Sequence, residues 1–402
     1  MNILIVSQYF FPENFGINDI AKSWVQNGHH VEIVTGMPNY PMGEIFDGYQ
    51  KRYEDEYCGV IIHRTDSRPR HKGSLNLFLN YMSFMFKAKK TIKKRVAIKP
   101  DIVFCYMPSP VFQLTPAIYA KKIFHCPLFL FYCDQWPESL KLKGIGSGLV
   151  YYCVSKYCQS TLNKCDYILN TAPSFIDYNF SQNKVSREKM DWILQPITDM
   201  HNNDSAFSVS QPRNENEIHL LFAGNIGAAQ NIQDIINAYN LLKIENLFIH
   251  IYGDGSEFCN CKALVERYNI GKNVILHGRV SFEYLQKQYK LIDACLLTLS
   301  GKTKVGNTIP SKLTGYMAEG KIVLAAINGD SRIVIDKANC GLYTEPDDYI
   351  KLAQLIKKFI DEKDKYSNYG MNGRNYYLQY GTIDAFNHKV ESILKRLIEE
   401  NK

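Results

Sequence analysis

Short, uninterrupted apolar runs alternate with longer stretches of helical spacing along most of this chain. Residues 2–7 (Asn-Ile-Leu-Ile-Val-Ser) predict a buried strand, followed by the loop Phe10-Phe-Pro-Glu-Asn-Phe-Gly16. A helix to about Asn27, closed by Gly28, leads to a second strand at Val31–Thr35. Further strands are expected at Asp101–Tyr106, Pro127–Tyr132 and Asp166–Asn170. Apolar runs separated by helical segments are what parallel sheets with crossover helices require. The series restarts at Ile218–Ala223, which runs into Gly-Asn-Ile-Gly, and continues with Leu247–Tyr252 into Gly253-Asp-Gly255. Val274–His277, Ala294–Leu299, Ile322–Ala326 and Gly341–Thr344 follow, and the segment from Tyr349 onward reads as helical with a break near Tyr380-Gly-Thr. Between the two series, the polar stretch 201–217 holds almost no core-forming residues and reads as a linker.

Length agrees with this division. At 402 residues the chain exceeds one ordinary core, since single cores stop growing near ~250–300 residues. The predicted organisation is therefore an N-terminal domain over 1–200, a linker, a C-terminal domain over 218–375, and a final helix over 376–402. Two Rossmann-like α/β halves predict a ligand in the cleft that they face.

Composition narrows the class. No stretch approaches the ~20 apolar residues of a membrane span. The opening Met-Asn-Ile-Leu-Ile-Val-Ser has neither a basic n-region nor a cleavage site, so it is read as a first strand and not a signal peptide. The eleven cysteines are scattered; Cys105, Cys126, Cys133 and Cys295 fall in apolar runs and read as core residues in a reducing compartment. Cys259 and Cys261 lack a second pair or a nearby histidine at zinc-site spacing, so no metal site is expected there. His29, His30, His63 and His125 are read as structural.

The net charge of +7 is mild, but its placement is not. Eleven Lys/Arg stand against one acid, Asp66, between Arg64 and Lys99, a local net of +10. Within this region 75–86 carries nine apolar residues of twelve, followed by Lys87-Ala-Lys-Lys-Thr-Ile-Lys-Lys-Arg95. Leu75, Leu79, Met82 and Phe86 are expected to face the core. An aromatic-rich helix beside such a cluster suits peripheral contact with an anionic membrane through residues 64–99, and a buried helix with a solvated basic tail is the plainer alternative. No nucleic-acid recognition motif accompanies the patch.

The strongest site signal lies at 294–326. A strand is followed by the loop Gly301-Lys-Thr-Lys-Val-Gly-Asn-Thr-Ile309, then by Pro310-Ser-Lys-Leu and a short helix ending at Gly320. Proline at the helix start and glycine past its end bound the element. Free N–H groups at Ser311 and Lys312, with the Lys312 ammonium, make its start an anion site suited to a diphosphate. In the N-terminal half, Asp134 and Glu138 follow a strand in Tyr132-Cys-Asp-Gln-Trp-Pro-Glu138, where a carboxylate can orient or deprotonate an acceptor hydroxyl; Asp134 can equally cap the turn. Gly144-Ile-Gly-Ser-Gly148 has the wrong spacing for a dinucleotide fingerprint, which argues against a nicotinamide dehydrogenase.

The succession Phe222-Ala-Gly-Asn-Ile-Gly, Ile251-Tyr-Gly-Asp-Gly, Val274-Ile-Leu-His-Gly-Arg-Val280, Cys295-Leu-Leu-Thr-Leu-Ser and Ile309-Pro-Ser-Lys-Leu-Thr-Gly-Tyr-Met-Ala-Glu-Gly-Lys321 resembles the donor domain of family 4 glycosyltransferases over about 150 residues. Ser7-Gln-Tyr-Phe-Phe-Pro-Glu-Asn-Phe-Gly, Pro38-Asn-Tyr-Pro and Asp134-Gln-Trp-Pro-Glu-Ser are similar to the branch that builds bacterial capsule, exopolysaccharide and lipopolysaccharide, including N-acetylfucosaminyltransferase-like members. The resemblance implies a GT-B fold, with the final helix crossing back to the N-terminal domain. It also implies transfer of a hexosyl or N-acetylhexosaminyl group with retention from a nucleotide diphosphate sugar, UDP favoured, to a glycan or polyprenyl-diphosphate-linked acceptor. No cofactor and no essential metal are implied, and the location implied is cytoplasmic, on the inner face of the plasma membrane.

The donor-binding residues so implied are Gly16, Gly224, Asn225, Gly253, Arg279, Val280, Lys302, Thr308, Ile309, Pro310, Ser311, Lys312, Gly315 and Glu319, with Asp134 and Glu138 as catalytic residues. One departure stands out. The family's ribose-clamping glutamate belongs five residues before the closing glycine, where this chain has Gly315; no acid stands near Val305–Asn307 either. Glu319 lies one turn after Gly315 on the same face. The Arg and Lys of relatives after the Gly-Asn turn are also replaced, here by Ala228-Ala-Gln-Asn231, which leaves Lys302, Lys304 and Lys312 to neutralise phosphate. A GT-B nucleotide-sugar 2-epimerase or a binding-only homologue are the alternatives, and a product assay separates them.

Overall fold

The computed structural model describes residues 1–199, 216–301 and 308–402, so the expected linker falls almost wholly outside the described residues. The chain divides into two compact units, Met1–Thr198 with Ile383–Lys402, and Asp199–Thr382.

The first unit is built on eight strands among the described residues: β1 (Asn2–Val6), β2 (His30–Thr35), β3 (Glu54–Tyr57), β4 (Val60–Arg64), β5 (Ile102–Met107), β6 (Leu128–Tyr132), β7 (Tyr167–Asn170) and β8 (Met190–Trp192). Their order is β3-β4-β2-β1-β5-β6-β7-β8, parallel throughout except for the antiparallel edge ribbon β3–β4. Strand order reverses between β1 and β5, which is where a sheet of this kind opens a crevice at its carboxyl edge. The central strands are closed on both faces: Ile3, Ile5, Phe104, Phe129 and Phe131 are wholly buried. The helix Ile383–Glu400 belongs to this core, with Phe386, Val390 and Leu394 packed among the same residues.

Sequence periodicity misses the ribbon β3–β4. Its residues are Glu-Asp-Glu-Tyr and Val-Ile-Ile-His-Arg, and the first carries almost no apolar signal. A charge cluster anchors it instead. His63 sits between Glu32 and Glu54 at 2.7 and 2.6 Å, and Arg64 reaches Asp55 at 3.0 Å. Burial alone would lower the His63 pKa, but the two carboxylates outweigh it and hold the pKa above its usual value.

The long helix Ser74–Arg95 corrects one expectation. Leu75 and Phe86 are exposed, at 72% and 61%, and do not face the core. The buried face runs through Leu77, Asn80, Phe84, Ala88 and Ile92. Asn80 is the cause of the misreading. Its carbonyl accepts from Gln8 Nε2 at 2.7 Å and its amide donates to the Arg68 carbonyl, so a polar residue stands on the core side and breaks the apolar period.

The second unit holds a six-stranded parallel sheet: β9 (Ile218–Ala223), β10 (Leu247–Tyr252), β11 (Val274–Gly278), β12 (Ala294–Thr298), β13 (Ile322–Ala326) and β14 (Gly341–Thr344), in the order β11-β10-β9-β12-β13-β14. Here the reversal falls between β9 and β12. Leu220, Phe222, Ile249, Ile251, Leu296 and Leu324 form its centre. Three histidines at matching positions make a cross-strand ladder: His219 meets His250, and His250 meets His277, each through ring nitrogens 3.0 Å apart.

Candidate functional site

In the second unit the loops after β9, β10 and β12 converge at the carboxyl edge of the sheet, beside the helix Ser311–Ala318. Three glycines make this convergence close. A Cβ on Gly253 would lie 1.8 Å from the Gly224 carbonyl oxygen, and one on Gly255 would lie 2.4 Å from that of Ile226. Their φ angles of 136° and 159°, with 137° at Gly224, are open to glycine at little strain. The backbones of the first two loops are thus stacked with no side chain between them.

Lys312 fills the space that a side chain at Gly224 would take. A Cβ there would meet Lys312 Cε at 2.2 Å and Nζ at 3.0 Å. The ammonium lies over the Phe222 ring, 5.2 Å from its centroid, and has no ion-pair partner among the described residues. Burial pushes its pKa down to about 8. Next to it, the first turn of the helix leaves N–H groups of Ser311 and Lys312 without intrahelical acceptors. An uncompensated cation, a positive helix end and exposed glycine backbone therefore meet at one point, and an anion completes all three.

The neighbouring residues take different places. Ser331 Oγ donates to the Thr308 carbonyl at 2.8 Å and fixes the approach to Pro310, while Ile309 is buried. Asn225 Nδ2 donates to Gln230 at 3.1 Å. Arg279 is exposed and Val280 half-buried in the loop after β11. Gly315 is partly exposed in mid-helix, and Glu319 caps the far end, buried, where its charge acts on Tyr289, Cys295 and Lys321. That far end is pinned by Arg374, which donates to the Ala318 carbonyl at 2.8 Å and grips both oxygens of Asp199. Lys302 and Lys304 lie outside the described residues.

In the first unit a cavity of about 450 Å³ opens beside the loops that follow β1, β5 and β6. Asp134, just beyond β6, forms part of its wall. Asp134 accepts from Ser139 Oγ at 2.6 Å and from Trp136 Nε1 at 3.2 Å. Burial outweighs these bonds and raises its pKa to about 6, a value suited to proton exchange near neutrality. Glu138 is held differently. Tyr151 and Tyr178 donate to one oxygen at 2.8 and 3.0 Å, and Lys141 pairs with the other at 2.8 Å. Burial pushes its pKa up, but these three groups outweigh that and the net shift is downward. Glu138 thus braces the wall in which Asp134 sits. Gly16 starts the first helix, where a methyl group would meet only Gln195 and Tyr106, both at 3.9 Å.

Two further residues escaped sequence reasoning. Glu13 accepts from the Asn39 and Tyr40 N–H groups at 2.8 and 2.7 Å through one oxygen, and burial raises its pKa to about 7. Arg70 lies over Tyr40 at 5.1 Å and lines the cavity. The Pro-Glu-Asn-Phe-Gly and Pro-Asn-Tyr-Pro motifs held both partners of the Glu13 contact, but their pairing needed the fold.

Residues 204–376 match the family of glycosyl transferases group 1. That match lies within the second unit. The chain is also 23% identical over 337 residues to the putative colanic acid biosynthesis glycosyl transferase WcaI of Escherichia coli K12, covering 80% of this chain and 82% of that protein. Among solved structures it superposes on sucrose-phosphate synthase from Thermosynechococcus elongatus with a TM-score of 0.76 at 15% identity, covering 99% of both chains. It superposes on Anabaena HepE in complex with UDP with a TM-score of 0.69 at 14% identity, covering 98% of this chain and all of that one. The fold is GT-B, as these structural neighbours show, and the matched segment contains Lys312, Phe222, Gly224 and Gly253.

Proposed function

We propose that this protein transfers a hexosyl or N-acetylhexosaminyl group from a nucleotide diphosphate sugar, with UDP favoured, to a hydroxyl of a glycan or lipid-linked acceptor in bacterial cell-surface polysaccharide biosynthesis. The observation that carries the reading is the unpaired Lys312 ammonium, set over Phe222 and the Gly224 backbone at the start of the helix Ser311–Ala318. That arrangement favours the negative charge that grows on a departing diphosphate. The donor's bond from anomeric carbon to diphosphate oxygen breaks, with its electron pair leaving on the nucleotide. The acceptor oxygen bonds to the same face of that carbon, which retains configuration, and its proton passes to the leaving phosphate. Lys312 and the helix amides stabilise that group, while Asp134 orients the acceptor hydroxyl. The relative named for colanic acid biosynthesis and the UDP complex of a structural neighbour support polysaccharide assembly and the UDP preference.

Peripheral contact with an anionic membrane through residues 64–99 belongs to the same reading, and it rests on the exposed Lys90, Lys93 and Lys94 beside exposed Phe86. No helix among the described residues is long and apolar enough to cross a membrane. Calorimetric titration with UDP, GDP and ADP tests the donor site. Binding of at least one, abolished by Lys312→Ala, is expected. Failure of all three to bind would remove the reading.

A further inference from the structure

Lys312 stands at the start of the helix Ser311–Ala318, and the far end of that helix decides how firmly it stands there. Three of the last four carbonyls are satisfied by the chain that follows. Gly315 accepts from the Glu319 N–H at 3.0 Å, Tyr316 from Lys321 at 2.9 Å and Met317 from Gly320 at 3.0 Å. The fourth, of Ala318, accepts from Arg374 Nη1 at 2.8 Å. A helix leaves these carbonyls without intrahelical partners and gathers negative charge there, so a guanidinium is a favoured donor.

Arg374 is itself held on several sides. Its two terminal nitrogens meet the two oxygens of Asp199 at 2.9 and 2.7 Å, and its guanidinium lies 5.3 Å from the centroid of the Tyr377 ring. Only 5% of the residue is exposed. A fork of this kind sets the plane of the guanidinium, and with it the direction of the N–H that reaches Ala318. The helix that carries Arg374, Tyr369–Tyr380, lies close against the same end. A Cβ on Gly370 would stand 2.2 Å from the Gly320 carbonyl oxygen, and one on Gly373 would stand 3.4 Å from Met317 Cγ. Glycine weakens a helix interior, and here both glycines leave room for that approach.

Lys312 and Ala318 are about 9 Å apart along their helix, so slack at one end reaches the other. Sideways the helix is tied to β9, where the Tyr316 hydroxyl accepts from the Ala223 N–H at 3.1 Å. Along its axis the stop is Arg374, with the helix Tyr369–Tyr380 behind it. The seat of Lys312 tolerates little movement, because its Cε occupies the place of a Gly224 side chain. Resting on the donor-site reading above, we infer that Arg374 is a positioning residue for the diphosphate site. Held by Asp199, it acts through the Ala318 carbonyl to stop the helix from sliding and keeps the Lys312 ammonium in the slot over Gly224 and Phe222.

The test measures affinity for UDP, GDP and ADP by calorimetry on the full chain from pH 6.5 to 9.5. Burial holds the Lys312 pKa at about 8, so wild-type affinity should fall as pH rises through that value. Arg374→Lys keeps the charge and loses the fork. Lys312 then gains access to water, and its pKa moves back towards 10.5. Nucleotide binding should weaken at least fivefold at pH 7, and the fall in affinity should move up by one pH unit or more. Asp199→Asn should move both readouts the same way by less, and it decides the matter if Arg374→Lys does not fold. Ile356→Val serves as the control for lost stability. It lies in the apolar core of Leu220, Leu296 and Leu324, which contains no residue of the helix Ser311–Ala318, and should bind like the wild type. Wild-type binding by Arg374→Lys would overturn the inference. So would weaker binding with an unmoved pH profile, which marks a structural role alone. Failure of the wild type to bind any of the three nucleotides strikes the donor-site reading instead.

Discussion

The Lys312 ammonium sits 5.2 Å from the centroid of the Phe222 ring, in the space left by the missing side chain of Gly224. Burial lowers its pKa from 10.5 to about 8. The folded protein therefore gives up this proton earlier than the unfolded chain, so the destabilisation is present at neutral pH and fades as pH rises from about 8 towards 10.5. Lys312→Met should raise stability by about 1–3 kcal/mol at pH 7 in urea titrations while weakening UDP by tenfold or more. In the wild type at pH 8.5, an arriving diphosphate restores the lysine's proton. Binding enthalpies measured in buffers of different ionisation heat should differ accordingly.

Gly224 and Gly253 have similar φ angles but face different neighbours. Gly253→Ala puts a methyl group into the Gly224 carbonyl, which is backbone, and should cost about 3 kcal/mol or more. Gly224→Ala meets only the flexible end of Lys312 and should cost about 1–2 kcal/mol. The order reverses in its relation to binding: Gly224→Ala should lose UDP affinity at least tenfold while remaining folded. Urea unfolding and UDP calorimetry on both variants check the contrast.

Glu13 and Asp134 make stability fall with pH. Burial raises the first from 4.5 to about 7 and the second from 3.8 to about 6. In each case the folded state holds its proton to higher pH than the unfolded chain. Stability therefore declines between about 4.5 and 7 for Glu13, and between about 4 and 6 for Asp134. His63, with its pKa raised by Glu32 and Glu54, acts in the same sense and loses its contribution as pH rises through that value. Glu13→Gln keeps an oxygen for both the Asn39 and Tyr40 amides. It should add about 1–3 kcal/mol at pH 8 and nothing at pH 4. Equal gains at both pH values would show that charge is not the cause.

The rotation of the helix Ser74–Arg95 is testable with two phenylalanines. Phe84 is wholly buried, and Phe84→Ala should cost about 3–5 kcal/mol. Phe86 is 61% exposed, and Phe86→Ala should change stability by less than about 0.5 kcal/mol.

That helix also shows where sequence reading works and where it stops. Strands such as β1, β5, β6, β9 and β12 are closed on both faces, so their apolar runs are visible without any partner. The punctuation Pro310…Gly320 likewise marks its helix directly. β3 is acidic and paired at an edge through His63 and Arg64, so no apolar signal announces it. Asn80 is polar on the buried side because Gln8 and Arg68 satisfy it, and a count of apolar residues rotates the helix the wrong way. The meeting of Lys312 with the Gly224 and Gly253 loops was legible because it depends on backbone and on one lysine. Glu13, Arg70 and the histidine ladder depend on residues brought together over long sequence separations, which no local pattern records.

The helix Ile383–Glu400 has a consequence for synthesis. It supplies Phe386, Val390 and Leu394 to the core of the unit that begins at Met1, yet it leaves the ribosome only after all of the second unit has done so. The unit translated first is thus the last to be completed. Until then its sheet carries an uncovered apolar face, so completion of that unit awaits the synthesis of residues 383–402.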